Sequence, residues 1–188
     1  MECNATYRRI RLPLSAEDVA SLRAGEAVLL YGALYTARDA AHKRLFAMLQ
    51  GSRSLSATKL PADWPLPAPC AIYYAGPCPA APGEVIGPCG PTTSARMDVY
   101  TPALMDAGVT ALIGKGPRSP DVLEALRGRG VYFAVTGGAG MLVARSIRAV
   151  EMVAFPELGT EAIRKFHIEA MPAIVACDSL GGNLYATR

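Results

Sequence analysis

Residues 101–135 of the chain read TPALMDAGVTALIGKGPRSPDVLEALRGRGVYFAV, and this stretch predicts the fold class. It contains two helix signals, each a hydroxyl residue followed by proline at the start and a glycine at the end: Thr101-Pro102 to Gly108, and Ser119-Pro120 to Gly128. A short apolar run follows each helix, Val109–Ile113 after the first and Val131–Val135 after the second. Two strand–helix units in series predict that their strands pair in parallel.

The sequence on either side of this stretch extends the same α/β pattern. An apolar run at 27–35 predicts a strand buried on both faces, and it leads directly into a helix near Arg38. Short strands are also predicted at 9–14, 71–75, 151–155 and 173–177. Residues 51–69 carry four prolines and no periodicity, so we predict a surface loop there. The whole chain is therefore predicted to be α/β with a mixed sheet.

Length, charge and cysteine content limit the possible functions. A chain of 188 residues buries roughly 70% of its unfolded surface, and we predict a single domain over residues 1–188. Its net charge of +3 is too small and too dispersed for a nucleic-acid-binding surface. The sequence contains no run of ~18 apolar residues, so no membrane span is predicted. Five cysteines without a C-x-x-C pair indicate neither a disulfide framework nor a zinc site, so we expect a cytoplasmic protein.

The most informative segment for function is GPCGPTTSARMD at residues 87–98. Thr92 and Thr93 follow Gly-Pro and are predicted to begin a helix, which places Thr92 and Arg96 four residues apart on one face. The free N–H groups and the positive dipole end of such a helix favour an anion, and the nearby charge would ease removal of the threonine proton. The alternative is that Thr92 or Thr93 is only a helix cap and that Arg96 is a surface residue.

A lysine between two glycines is the second candidate, in the sequence IGKG at 113–116. Lys115 ends a predicted strand, where the missing neighbouring side chains would let a ligand approach and the ammonium could hold a carboxylate. The Walker phosphate loop is not matched, because Gly116 follows the lysine in place of Ser or Thr. Nucleotide binding is therefore disfavoured, and a structural or solvated lysine is the alternative.

A third polar cluster lies at the predicted junction between strand 27–35 and the following helix. Arg38 could bind a second carboxylate, braced from behind by Asp39 or His42. Junctions at the carboxyl ends of strands are where open α/β sheets bind ligands. The alternative is an ordinary helix start whose charges complement the helix dipole.

Five segments resemble one protein family, and together they are specific for it. They are YTARDAAHK at 35–43, YAGP at 74–77, GPTTSARMD at 90–98, IGKG at 113–116 and ELG at 157–159. The chain resembles the β subunit, equivalent to the C-terminal domain, of the iron–sulfur-dependent class I fumarate hydratases and L-tartrate dehydratases. This resemblance implies a single swivelling β/β/α three-layer domain with a mixed, largely parallel sheet.

The resemblance also implies a partner, a cofactor and residue roles. The partner is an α subunit, in an α2β2 assembly, which holds a [4Fe–4S] cluster through its own cysteines, so Cys78 and Cys89 of this chain are not ligands. The open iron of that cluster would bind the substrate as a Lewis acid. Thr92 corresponds to the base that removes the carbon-bound proton, and Arg38, Arg96 and Lys115 to the residues that hold the dicarboxylate.

The implied reaction is reversible hydration of fumarate to L-malate. Dehydration of L-tartrate to oxaloacetate and hydration of a methylated fumarate stay open, because contacts to the substituent are expected from the other subunit. A hypothesis from a different class is a non-catalytic module that binds a dicarboxylate and regulates another protein.

Overall fold

The computed structural model describes residues 7–51 and 60–186. Residues 52–59 of the predicted loop lie outside this part of the chain, as do both ends of the predicted domain 1–188. Residues 60–69 contain turns but neither helix nor strand, which agrees with the predicted loop.

The described residues form a mixed α/β structure. Its strands are β1 (Arg8–Leu12), β2 (Ala27–Thr36), β3 (Cys70–Tyr73), β4 (Val109–Gly114), β5 (Val131–Ala134), β6 (Ile147–Ala154) and β7 (Ile163–Cys177). Its α-helices are α1 (Ala16–Ser21), α2 (Asp39–Gly51), α3 (Thr101–Asp106), α4 (Pro120–Leu126) and α5 (Gly140–Ser146). Two 3-10 helices cover Ser94–Met97 and Pro156–Glu161.

Side-chain caps are present at two of the five described α-helices, α1 and α4. Ser15 and Asp18 form a reciprocal capping box at α1, and the Ser119 hydroxyl accepts a bond from the Val122 amide, with proline next in sequence, so both backbone donors are satisfied. The sequence predicts that Thr101 caps α3, but this prediction is wrong. Thr101 is the first residue of that helix, and its buried hydroxyl donates to the Met97 carbonyl at 2.9 Å.

The sheet is mixed and largely parallel, as predicted. Strands β1 to β5 are neighbours in chain order and pair in parallel, while β7 pairs antiparallel with β5, β2 and β6. Because β7 contacts both β5 and β2, the strands β2, β3, β4, β5 and β7 close into a ring. The open sheet assumed for the Arg38 junction is therefore wrong, although the parallel order that places this junction is not.

Strand β7 is three times as long as the sequence predicts. Only 173–177 forms an apolar run, whereas the strand begins at Ile163. Its first part carries Lys165, His167 and Glu169 between inward-facing apolar residues, and Ala170 has a left-handed φ of 55°. These charged side chains and the local distortion hide the strand from a search for apolar runs.

Two apolar clusters cover the two faces of this sheet. All five ring strands contribute to one, with Leu30, Tyr73, Ile113, Phe133 and Phe166 among its fully buried members. The other lies on the opposite face, where α2, α3 and α4 pack. Such two-sided burial explains why β3, β4 and β5 are almost continuously apolar. No helix within 7–51 and 60–186 is long and apolar enough to cross a bilayer.

Candidate active site

The sequence-predicted site residues lie at one edge of the sheet. Register pairs Thr36 with Tyr73, Tyr73 with Ile113 and Gly114 with Ala134, so the parallel strands β2 to β5 end side by side. The connections that follow these strands begin at this edge, and they carry Arg38, the Thr92 turn and Lys115. The structure thus brings together residues that stand far apart in sequence.

Backbone bonds fix the Thr92 turn against the ends of β3 and β4. Pro91 forms a bridge with Ala75, and the Thr92 amide donates to the Tyr74 carbonyl at 2.7 Å. Thr93 then bridges to Lys115, and the Ser94 amide donates to the Lys115 carbonyl at 2.9 Å. Lys115 and the threonine turn are therefore held as immediate neighbours.

The Thr92 hydroxyl is engaged by Arg96, as the spacing predicts. Nη2 of Arg96 donates to Oγ1 of Thr92 and also to Oδ2 of Asp39 at 3.0 Å. Asp39 thus braces Arg96 rather than Arg38. Thr92 is half-buried, whereas the Arg96 side chain is 51% exposed, so the hydroxyl and the guanidinium face solvent together.

The predicted helix around Thr92 is only partly correct. The helical segment is a single 3-10 turn, Ser94–Met97, because the threonine backbone is committed to β3 and β4. Thr93 occupies the cap position but makes no capping bond, and the Thr92 amide is bonded to Tyr74. The anion-binding helix end expected from the sequence is therefore absent from this turn, and so is the alternative of a capping threonine.

Arg38 is held by an acidic residue that the sequence analysis missed. Its Nη2 donates to Oε1 of Glu161 at 3.0 Å, and the second oxygen of that carboxylate accepts the Ala40 amide at 2.6 Å. Burial alone would raise the pKa of Glu161, but the amide and the guanidinium outweigh it and hold the pKa below its usual range. A Cβ on Gly76 would lie 2.8 Å from Nη1 of Arg38, so a larger residue there would displace the guanidinium.

His42 does not brace the Arg38 side chain, contrary to the prediction. It is fully buried, its Nδ1 lies 3.0 Å from the Arg38 backbone carbonyl, and its ring packs edge-on against Tyr74. Burial lowers the pKa of His42 to about 4. The bond to the Arg38 carbonyl opposes this change, and the charge of Arg118 adds to it. A neutral imidazole at this position anchors the start of α2.

Lys115 is half-buried and makes no ion pair with any residue in the described part of the chain. A Cβ on Gly137 would lie 3.9 Å from its Nζ, so the loop after β5 borders the ammonium. The sequence suggested that Gly114 would let a ligand approach Lys115, but the structure contradicts this. Gly114 is buried, and a Cβ there would stand 2.1 Å from the Ser94 hydroxyl.

A buried cation lies behind this edge and was not predicted. The Arg118 side chain is fully buried, and its Nε donates to Asp98 at 2.8 Å. Its Nη2 lies 2.9 Å from the Thr101 hydroxyl and 3.2 Å from that of Tyr74. The guanidinium also packs over the rings of Tyr74 and Tyr132. Arg118 follows Lys115 closely in sequence. Only the fold shows that Arg118 has a structural role and that Lys115 is available to bind a ligand.

The described cysteines do not form a cluster site. Cys70, Cys89 and Cys177 are buried, Cys78 is exposed, and all four are free thiols. Burial raises the pKa of both Cys70 and Cys89 to about 12, which disfavours the thiolate that a metal requires. No group of three potential ligands occurs within the described ranges. These residues therefore do not fit an iron–sulfur cluster.

The site residues are partly exposed, with the Arg38 side chain 31% and the Arg96 side chain 51% exposed. Two grooves of about 480 and 530 Å³ lie elsewhere, one between β1 and β7 and one between the 79–88 segment and α5. Neither is lined by the residues gathered around Thr92. Fold and site together define an α/β protein that presents one hydroxyl and three cationic side chains at the carboxyl edge of its parallel strands.

A family model described as Fumarase C-terminus matches residues 2–188. The chain belongs to this family. It is similar to "Fumarate hydratase 2" of Leishmania major, with 35% identity over 86% of this chain and 28% of that protein. It is equally similar to "Fumarate hydratase class I, anaerobic" of Escherichia coli strain K12, with 35% identity over 83% of this chain and 28% of the relative.

A relative of different name matches over most of its own length. It is "Putative L(+)-tartrate dehydratase subunit beta" of Methanocaldococcus jannaschii, which is 37% identical over 92% of this chain and 88% of its own. The chain thus spans little more than a quarter of the two fumarate hydratases, but nearly all of this subunit.

Proposed function

We propose that the chain acts as the β subunit of an iron–sulfur-dependent hydro-lyase that reversibly hydrates fumarate to L-malate. One observation carries the proposal: the Thr92 hydroxyl is bonded to the Arg96 guanidinium, at the sheet edge that also bears Arg38 and Lys115. Several cations are needed to bind a dianionic substrate. A hydroxyl group can act as the base only if it can first lose its own proton. Membership of the fumarase family supports this assignment.

In the dehydration direction, Thr92 removes the proton from the carbon next to the one that carries the hydroxyl group. Thr92 must first lose its own proton through a relay to solvent. The bond from Arg96 stabilises the resulting alkoxide, since a guanidinium at hydrogen-bond distance favours the charged form of the oxygen. Arg38, Arg96 and Lys115 bind the two carboxylates and orient the acidic C–H bond toward Thr92. Such positioning contributes roughly 7–11 kcal/mol in favourable cases.

The rest of the chemistry is assigned to a partner. Because the described cysteines do not fit a cluster, we propose that a separate α subunit holds the [4Fe–4S] group in an α2β2 assembly. That subunit would also supply the acid for the departing hydroxide. The partial exposure of the residues around Thr92 fits a site that a second protein completes.

We further propose that residues 1–188 act as one domain, a β/β/α three-layer unit that swivels against the α subunit. Such a motion would open and close the site between the two subunits. The free thiols support a reducing compartment, and we assign the protein to the cytoplasm.

L-tartrate dehydration to oxaloacetate is the second candidate reaction. The relative named as a tartrate dehydratase subunit favours it, because that match covers 88% of the relative's length. The same three cations would serve either dianion, so substrate choice is left to contacts from the partner.

The test is an anaerobic pull-down of the tagged chain from its native host, with fumarate hydration and L-tartrate dehydration assayed side by side. We expect a brown complex that is active on one substrate. Recovery of the chain alone, with dicarboxylate binding but no turnover, would contradict the hydro-lyase and favour a regulatory module.

Replacement of Thr92 tests the proposed base. In Thr92→Ala we expect kcat to fall by roughly 10²–10⁴-fold, the usual contribution of a general base, while assembly with the partner is unchanged. Thr110→Ala is the matched control, since Thr110 lies at the opposite end of β4. A Thr92→Ala enzyme with the turnover of the control would remove Thr92 from this role.

A further inference from the structure

A buried pair of hydroxyls joins the two loops that carry Thr92 and Lys115. The Tyr132 hydroxyl donates to the Gly116 carbonyl at 2.9 Å, and the Ser94 hydroxyl lies 2.9 Å from the Tyr132 oxygen. A phenol has one O–H group to donate, and Tyr132 donates it to the Gly116 carbonyl. The Ser94 hydroxyl is therefore the donor in the second bond. One tyrosine thus holds the residue after Lys115 and the second residue after Thr92.

The surroundings of this pair leave it little freedom. Tyr132 and Ser94 are both completely buried, and the tyrosine ring lies under the Arg118 guanidinium, 4.9 Å from its centre. Gly114 leaves space for the Ser94 hydroxyl, because a Cβ on Gly114 would overlap it at 2.1 Å. Each hydroxyl therefore has one arrangement in which its bonds are made, and that arrangement fixes the distance between the two loops.

We propose that Tyr132 is a positioning residue for the reaction, which sets the spacing between the Thr92 hydroxyl and the Lys115 ammonium. It does so from the strand next to β4, without facing the substrate. This proposal rests on the proposed function for its kinetic consequence, but the link between the loops is a property of the chain alone.

The spacing matters because the base and the cation act on one small molecule. A displacement of about 1 Å between catalytic groups lowers a rate by about 10²-fold. The other links between the two turns are backbone contacts, namely the Thr93–Lys115 bridge and the bond from the Ser94 amide to the Lys115 carbonyl. Without the tyrosine hydroxyl, we expect the turns to move relative to each other while the strands beneath them stay packed.

The experiment compares Tyr132→Phe with Ser179→Ala in the complete complex. Tyr132→Phe removes only the hydroxyl and keeps the ring under Arg118. Ser179→Ala removes another buried hydroxyl, bonded to the Val19 carbonyl at 2.7 Å, away from the site. We expect kcat to fall on the order of tenfold to hundredfold in Tyr132→Phe and to change less than about twofold in Ser179→Ala, while both complexes assemble.

A second variant separates positioning from general stability. If Ser94 and Tyr132 act through one link, Tyr132→Phe combined with Ser94→Ala loses no more activity than Tyr132→Phe alone. Multiplicative losses, or equal losses in Tyr132→Phe and Ser179→Ala, would overturn the proposal.

Amide hydrogen exchange on the chain reads the link without any turnover. In Tyr132→Phe we expect the Ser94 amide to exchange at least tenfold faster, and we expect no change there in Ser179→Ala. Faster exchange alone would support the link even if the wild-type complex hydrates nothing, which would refute only the proposed function. Unchanged exchange at Ser94 would overturn the link itself.

Discussion

Arg118 and Arg96 are both paired with an aspartate, yet they belong to very different regions of the molecule. The Arg118 side chain is fully buried and that of Asp98 is 10% exposed, whereas Arg96 and Asp39 are 51% and 43% exposed. Arg118 also bonds to Thr101 and Tyr74 and packs between two aromatic rings. Within the described part of the chain, Arg96 has Asp39 and Thr92 as its only side-chain partners.

The difference teaches which charges the fold needs and which ones it presents. Arg118 is out of reach of a ligand because its side chain is fully buried, although its Nη1 has no hydrogen-bond partner among the described residues. Losing its counter-ion would leave a desolvated charge. An exposed guanidinium loses little when its partner leaves, because water replaces the carboxylate. Arg96 can therefore turn toward an incoming carboxylate at small cost, whereas Arg118 cannot.

Removal of the buried counter-ion should have the largest effect. We expect Asp98→Asn to lower the free energy of unfolding by about 3–5 kcal/mol, because Arg118 would be left buried and uncompensated. Asp39→Asn, the same change at the exposed pair, should cost less than about 1 kcal/mol. Denaturant unfolding of the two variants measures both values, and similar losses would contradict the distinction between the two regions.

Low pH should lower the stability of the protein through a second buried group in the same region, the imidazole of His42. The pKa of His42 is lowered to about 4, below the unfolded value of about 6.5, so the unfolded chain binds more protons between these values. Stability from His42 is therefore complete above pH 6.5 and falls as the pH drops to 4, by about 3 kcal/mol in all. His42→Gln should flatten this slope, and an unchanged slope in that variant would place the effect elsewhere.

The exposed pair should show the opposite balance, with function affected more than stability. In Arg96→Met we expect KM for the dicarboxylate to rise at least about tenfold, which corresponds to about 1.4 kcal/mol. The free energy of unfolding should change by less than about 1 kcal/mol. Arg129→Met is the control, since Arg129 is also ion-paired and 48% exposed but lies away from the site. An unchanged KM in Arg96→Met would count against the clamp.

The smallest effect is expected where an exposed pair has no catalytic neighbour. Arg148 and Glu169 are 61% and 58% exposed, so Arg148→Ala should alter the free energy of unfolding by less than about 1 kcal/mol and leave kcat unchanged. Thermal unfolding at low and high salt measures this. A loss as large as that of Asp98→Asn would show that exposure does not separate the two kinds of pair.

Sequence predicts what depends on neighbours along the chain. The Ser119 cap, the i and i+4 contact between Thr92 and Arg96, and the parallel strands around Lys115 are local signals, and the structure confirms them. The gathering of Arg38, Thr92 and Lys115 at one edge follows from those parallel strands. Their roles in binding and proton transfer stay predictions.

Contacts between distant segments could not be predicted in this way. Glu161 reaches Arg38 only because the turn before β7 folds back over the end of β2, and no local pattern signals that approach. Asp98 and Arg118 likewise look like ordinary surface charges until the helices are packed. His42 was misassigned for the same reason, since its spacing from Arg38 is helical whether it is buried or exposed.

The closing role of β7 has a consequence for how the protein folds. Strand β2 lies near the start of the sequence and β7 near its end, so their pairing spans most of the chain. The ring therefore cannot close until the final strand is in place. Contacts of such high sequence separation form slowly, because loop closure costs entropy before any pairing stabilises it. Glu161 precedes β7 directly, and we therefore expect Arg38 to acquire its partner in the same late step that completes the sheet.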